Sequence, residues 1–275
     1  MFPQWICSRK GHNDVNYFIE GIQGAGKSTL VGRLASHFPD YRVYREGDYN
    51  PVELAWCAYM TEQQYESVLA KYDTLRSELV ANTHTEDDRR IVTYTRIITD
   101  VPGFHKDLEQ YEIYNNRLDR AEFEKTILKR YARWNGDNSI FECSLLQNIV
   151  ENQILFYEMT DEEIVAFFLR LKAVLAGRDF RILYLEADDI AGSLQVIRKE
   201  RVDANGNEMW FPLMVGFLED SPHGRRHGLK GFDGLVKHLE HRKAVEMRVL
   251  REVFPEQAVI LRSKNYDLEA VLGSI

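Results

Sequence analysis

No apolar run in the 275-residue chain is long enough to cross a membrane, and the amino-terminal MFPQWICSRK lacks the apolar stretch of a signal peptide. No membrane partner is expected. Cysteine is scarce: Cys7, Cys57 and Cys143 are scattered, with no pair at metal-ligand spacing. A reducing cytoplasm is the setting that such usage fits. Internal repeats and low-complexity tracts are absent, which sets aside repeat architectures. Basic residues are in deficit, 35 against 43 acidic, for a net charge of −8. A surface of that sign repels a long phosphate backbone, so no nucleic-acid partner is expected. A small acceptor molecule meets no such barrier, and a homodimer stays open.

What is present is ordinary in composition, 44% hydrophobic and 28% charged, and long enough to bury one large core. Five short strand-like runs stand out: VNYFI (15–19), YRVYR (41–45), SIFE (139–142), RILYLEA (181–187) and AVILR (258–262). Segments with helical spacing of apolar residues lie between them, which predicts an α/β fold with a parallel sheet covered on both faces. Thr61 with Gln64 and Thr160 with Glu163 have capping-box spacing. Asp119 with Glu122 opens another helix that Gly136 closes, and Gly177 follows the amphipathic run DEEIVAFFLRLKAVLA. Nearly a hundred residues separate the second run from the third, too many for one crossover helix. The expectation is a mainly helical insert over 50–137 within a single 1–275 domain. Its stretch IVTYTRIIT (91–99) reads equally as a strand or an extended segment.

The first run breaks into Gly21-Ile-Gln-Gly24-Ala25-Gly26-Lys27-Ser28, which matches G-x-x-x-x-G-K-[ST] at every fixed position. Glycines permit positive φ, so successive N–H groups can converge on phosphate oxygens, and the helix that follows adds its positive dipole end. Lys27 is placed for the β- and γ-phosphates, Ser28 for Mg²⁺ and Thr29 for the α-phosphate. The strand before the loop and the amphipathic helix after it are the context that this motif requires.

Three weaker features bear on what the phosphate is for. The second run ends in YREGDYNP, where Glu46 and Asp48 are candidates to accept a proton from an attacking hydroxyl. Asp48 is preferred because it lies farther out. The third run ends in FECSLLQN, where Glu142 is a candidate Mg²⁺ carboxylate. Beyond it, Gln147 and Glu151 share a helix face that meets either substrate or water. After the fourth run, Arg198 and Arg201 share a helix face. The polar, glycine-bearing segment 202–229, with Arg225 and Arg226 and with Lys230 just beyond it, reads as a mobile lid over transferring phosphate.

In this order of parts the chain resembles the P-loop small-molecule kinases: nucleoside and nucleotide kinases, shikimate and gluconate kinases, and chloramphenicol phosphotransferase. FECS is similar to the ERS motif of deoxynucleoside kinases, with Cys143 where they carry an arginine that helps place substrate and phosphate. The substrate class therefore stays open. The resemblance implies a three-layer α/β core with a five-stranded parallel sheet of order 2-3-1-4-5. It also implies ATP with Mg²⁺ as donor and an acceptor held between insert and lid. Arg96 and Arg117 in the insert are candidates for an anionic acceptor group, and the insert's aromatics suit an aromatic or glycosidic one. The expected activity is transfer of the γ-phosphoryl group to a nucleoside, nucleotide, antibiotic or other natural product. The rival expectation is a regulatory NTPase that switches a protein partner.

Overall fold

The computed structural model describes residues 15–136, 138–203 and 205–274. The amino-terminal decapeptide with Cys7, and single positions at the end of the insert (137) and inside the lid span (204), lie outside the described residues. Strand β1 (Asn16–Gly21) leads through the glycine loop into helix α1 (Lys27–His37) and strand β2 (Arg42–Tyr44). The insert follows as β3 (Ala58–Thr61), α2 (Glu62–Lys71), α3 (Arg76–Ala81), β4 (Thr83–Glu86), β5 (Arg89–Val92), α4 (Phe104–Glu109) and α5 (Arg120–Arg133). The chain then runs through β6 (Ser139–Glu142), α6 (Gln147–Leu155), α7 (Asp161–Val174), β7 (Phe180–Glu186) and α8 (Ile190–Glu200). It closes with α9 (Trp210–Asp220), α10 (Pro222–His227), α11 (Gly231–Glu252), β8 (Ala258–Arg262) and α12 (Leu268–Ser274).

Each of the five sequence runs is a strand of one parallel sheet, ordered β2-β6-β1-β7-β8. Three strands of the insert intervene in the numbering; counted without them, the order is 2-3-1-4-5. β1 is the central strand, and all six of its residues are buried. Successive side chains point to opposite faces. Tyr17 stacks on Phe38 just past α1, whereas Phe18 packs on Tyr131 of α5 and on Trp134. Both faces are thus covered, which gives three layers. Both expected capping boxes form, at Thr61/Gln64 and Thr160/Glu163, and the Asp119 side chain accepts from the Glu122 N–H.

The insert adds to its helices a small antiparallel sheet of β3, β5 and β4, over a separate core of Met60, Leu69, Leu79 and Phe104. The stretch 91–99 divides between the end of β5 and a 3₁₀ turn over Tyr94–Arg96. The segment 202–229, polar at both its ends, is largely helix. A short bridge, Val202 to Glu208, is followed by α9, whose Leu218 is fully buried and whose Phe211, Met214 and Phe217 pack on the main core. Those apolar contacts are what turn the segment into helix, since a helix of this length needs a face to bury.

Glu53 enters the main core from the start of the insert. It accepts from Tyr114 Oη at 2.5 Å and from the Ala55 N–H at 2.6 Å, and burial pushes its carboxyl up to about 8. A raised carboxyl is protonated in the folded state and ionised in the unfolded one. Stability from this group is therefore full below the usual carboxylate pKa of 4.5 and is lost as pH rises towards 8. Glu20 and Glu112, each raised by burial to about 7, act in the same direction. Urea midpoints measured from pH 5 to pH 8.5 should fall less steeply in Glu53→Gln than in the wild type. Parallel profiles would show that Glu53 stays ionised.

Candidate functional site

The loop 21–26 leaves the carboxyl end of β1, where open α/β sheets bind ligands. Gly21, Gly24 and Gly26 all have positive φ, at 134°, 76° and 95°. A Cβ at Gly21 would sit 2.6 Å from the Leu185 carbonyl oxygen of β7, and one at Gly24 would meet Ile197 Cδ1 of α8 at 2.4 Å. A Cβ at Gly26 would meet nothing within 4 Å, so at that point the backbone faces open space. Ala25 is buried, and its carbonyl accepts from Ser263 Oγ at 2.8 Å beyond β8. Lys27 is 7% exposed and arches back over the loop, donating to the Gly21 and Ile22 carbonyls at 2.9 Å each. Ser28 and Thr29 are exposed on the first turn of α1.

Ser28 Oγ donates to Glu142 Oε1 at 2.5 Å, which brings a hydroxyl and a carboxylate oxygen together beside the loop. This hard-oxygen pair suits Mg²⁺, whose remaining ligands would be phosphate and water oxygens. Among the described residues no group of three or more His, Cys, Asp or Glu is placed to hold a metal by itself. Glu142 sits at the end of β6, and Cys143 after it is fully buried with a φ of 58°. That left-handed turn puts a buried thiol, not a cation, directly after Glu142.

The two carboxylates of the EGD turn differ in their surroundings. Asp48 is engaged at both oxygens: the Arg45 N–H donates to Oδ2 at 2.9 Å, and Arg96 pairs with Oδ1 at 2.6 Å. Glu46 is exposed and, among the described residues, receives only the Trp56 indole N–H at 3.2 Å and the Gln147 amide at 3.4 Å. Asp48 is thus tied into the turn, while Glu46 stands beside the start of α6. Trp56 itself is 46% exposed with a φ of 64°, a rare conformation for a bulky residue.

Other expected residues are turned elsewhere. Arg198 forms a bidentate pair with Glu208 at 2.9 and 3.1 Å and lies over the Phe211 ring at 4.3 Å. Arg201 lies over Trp210 at 5.5 Å. Both guanidinium groups hold the connection to α9. Arg117 pairs with Glu109 at 3.7 Å inside the insert. Gln147 and Glu151 are both buried, so their shared face of α6 does not meet bulk water.

Glu151 belongs to a buried network that spacing alone does not reveal. Its Oε2 accepts from Arg242 at 2.8 Å and lies 3.0 Å from His238 Nε2, both on α11. Burial alone would raise its carboxyl, but His238 and Arg242 outweigh burial and hold it at about 2. Arg242 is fully buried; it pairs with Glu246 at 3.1 Å and donates to Gln23 Oε1 of the glycine loop at 2.8 Å. Glu20, the last residue of β1 before Gly21, accepts from the N–H groups of Leu145 and Gln147 at 2.6 and 3.0 Å. Glu20 was not singled out from the sequence; its carboxylate directly after the apolar YFI of β1 is the signal that could have found it. The loop is therefore backed from two sides by buried polar groups.

No protein-family model and no curated protein matches the chain. Among solved structures it is similar to a gluconokinase from Sinorhizobium meliloti 1021, at 11% identity over 94% of this chain and 88% of that one. The TM-score is 0.33, too low for that likeness to carry any inference.

Proposed function

We propose that the chain is an ATP-dependent phosphotransferase that moves the γ-phosphoryl group to a hydroxyl or phosphate oxygen of a small molecule. The observation that carries this reading is the intact glycine loop with the Ser28–Glu142 oxygen pair beside it and an exposed carboxylate, Glu46, at the same sheet edge. Lys27 would leave the Gly21 and Ile22 carbonyls for the β- and γ-phosphate oxygens, at no cost in strand or helix hydrogen bonds. Ser28 and Glu142 would hold Mg²⁺, whose charge offsets that of the phosphates. For a hydroxyl acceptor, Glu46 would take the proton as the acceptor oxygen bonds to the γ-phosphorus. The bond from that phosphorus to the bridging oxygen then breaks, and ADP departs. The Trp56 and Gln147 donors orient the Glu46 carboxylate without neutralising it. Asp48, balanced by Arg96, serves the shape of the turn.

This ordering of the two carboxylates reverses the sequence preference for Asp48 and is testable. With an acceptor identified by screening nucleosides, nucleotides, sugars and antibiotics, Glu46→Gln should keep ATP binding and lose transfer by about 10²–10⁴-fold. Asp48→Asn should lose less. The opposite ranking of the two variants would return the role to Asp48.

A further inference from the structure

Phosphoryl transfer places negative charge on the equatorial oxygens of the moving group, and a cation beyond the loop lysine commonly meets it. Most arginines that sequence spacing nominated are engaged elsewhere. Arg198 is bound to Glu208, Arg201 covers Trp210, Arg96 is paired with Asp48, Arg117 with Glu109 and Arg226 with Glu158, while Arg225 is exposed on α10. Arg242, which spacing did not nominate, is enclosed by Glu151, Glu246 and Gln23. Cys143 brings no charge. At the carboxyl end of β2, however, Arg45 reaches towards the loop. Its Nη1 lies 4.0 Å from Glu142 Oε2, the carboxylate whose other oxygen holds Ser28. The side chain is 46% exposed, and its guanidinium makes no hydrogen bond to the described residues. Its backbone is anchored, since its N–H is bonded to Asp48 and its carbonyl accepts from the Asp48 N–H at 3.0 Å. A fixed base with an uncommitted head is the arrangement of a group that waits for an anion.

We infer that Arg45, just past β2, is the arginine that binds the γ-phosphate and follows it in transfer. This rests on the reading of loop 21–28 as a nucleotide site. A 4.0 Å contact to Glu142 is too long for a hydrogen bond and leaves the guanidinium free to turn to phosphate. Occupation of Glu142 by a metal would favour that turn, because the carboxylate charge that attracts Arg45 would then be offset. Arginine suits the role through its planar fork, which lysine lacks.

The test is calorimetric binding of magnesium ADP and of the non-hydrolysable magnesium β,γ-imido analogue of ATP to wild type, Arg45→Ala and Arg45→Lys. The expected result is unchanged ADP affinity in both variants. The imido analogue should bind roughly tenfold or more weakly to Arg45→Ala, the scale of one charge-assisted hydrogen bond, with Arg45→Lys between. Equal weakening for both nucleotides, or weakening for neither, overturns the inference while the nucleotide site stands. A folded wild type that binds neither nucleotide overturns the nucleotide site, and the inference with it.

Discussion

Lys27→Ala is expected to fold and to lose ATP turnover by at least about 10²–10³-fold, the scale of removing one preorganised donor from developing charge. The loss follows from position. Lys27 is buried over the loop, held only by the Gly21 and Ile22 carbonyls, and no other ammonium group contacts those atoms among the described residues. The fold should survive because α1 is held by Leu30, Val31 and Leu34, all fully buried, and none of them touches the substituted charge chemically. Circular dichroism melts beside an ADP-release assay check both halves. Near-normal turnover in a folded variant would remove the phosphate loop from the mechanism.

The second large effect is on stability. Arg242→Met, with Glu151 and Glu246 left in place, is expected to cost about 3–5 kcal/mol, because two buried carboxylates lose their shared cation. Glu151→Gln should cost less, since Arg242 keeps Glu246 and Gln23, and Glu246 keeps Tyr184. The double variant should be more stable than the two single losses added together, since the groups interact directly. Urea unfolding of the three variants measures this coupling. Because Arg242 also donates to Gln23, ATP binding should weaken in Arg242→Met even where the protein is still folded. Single losses within about 0.5 kcal/mol of zero would mean the network is solvated and not structural.

Much of the scaffold could be read from the chain because its causes are local. Strand runs, capping boxes and the glycine loop each depend on residues within a few positions of one another. Glu142 was legible for the same reason, as a carboxylate closing an apolar strand. The insert sheet was not, since β4 is the polar THTE and β3 only four residues long, with no alternation to reveal either. In the span 202–229, polar tracts on each side of WFPLMVGFL hid a helix with a buried face. Residues whose roles depend on distant partners were the least legible. Asp48 and Arg96 are far apart in the chain, and Arg242 lies on a helix so rich in charge that its one buried guanidinium does not stand out. The preference for Asp48 failed to foresee that pairing, and with it the different freedom of Glu46.

The central claim, that this chain transfers phosphate from ATP to a small acceptor, is tested most directly by ADP release from the wild type. Purified protein with magnesium ATP would be screened against nucleosides, nucleotides, sugars and antibiotics, with a sample lacking acceptor beside them. The account predicts slow release alone and a marked increase with one acceptor class, accompanied by a phosphorylated product. Equal release with and without every acceptor, and no phosphorylated product, would contradict it and favour an NTPase that hydrolyses nucleotide to switch a protein partner.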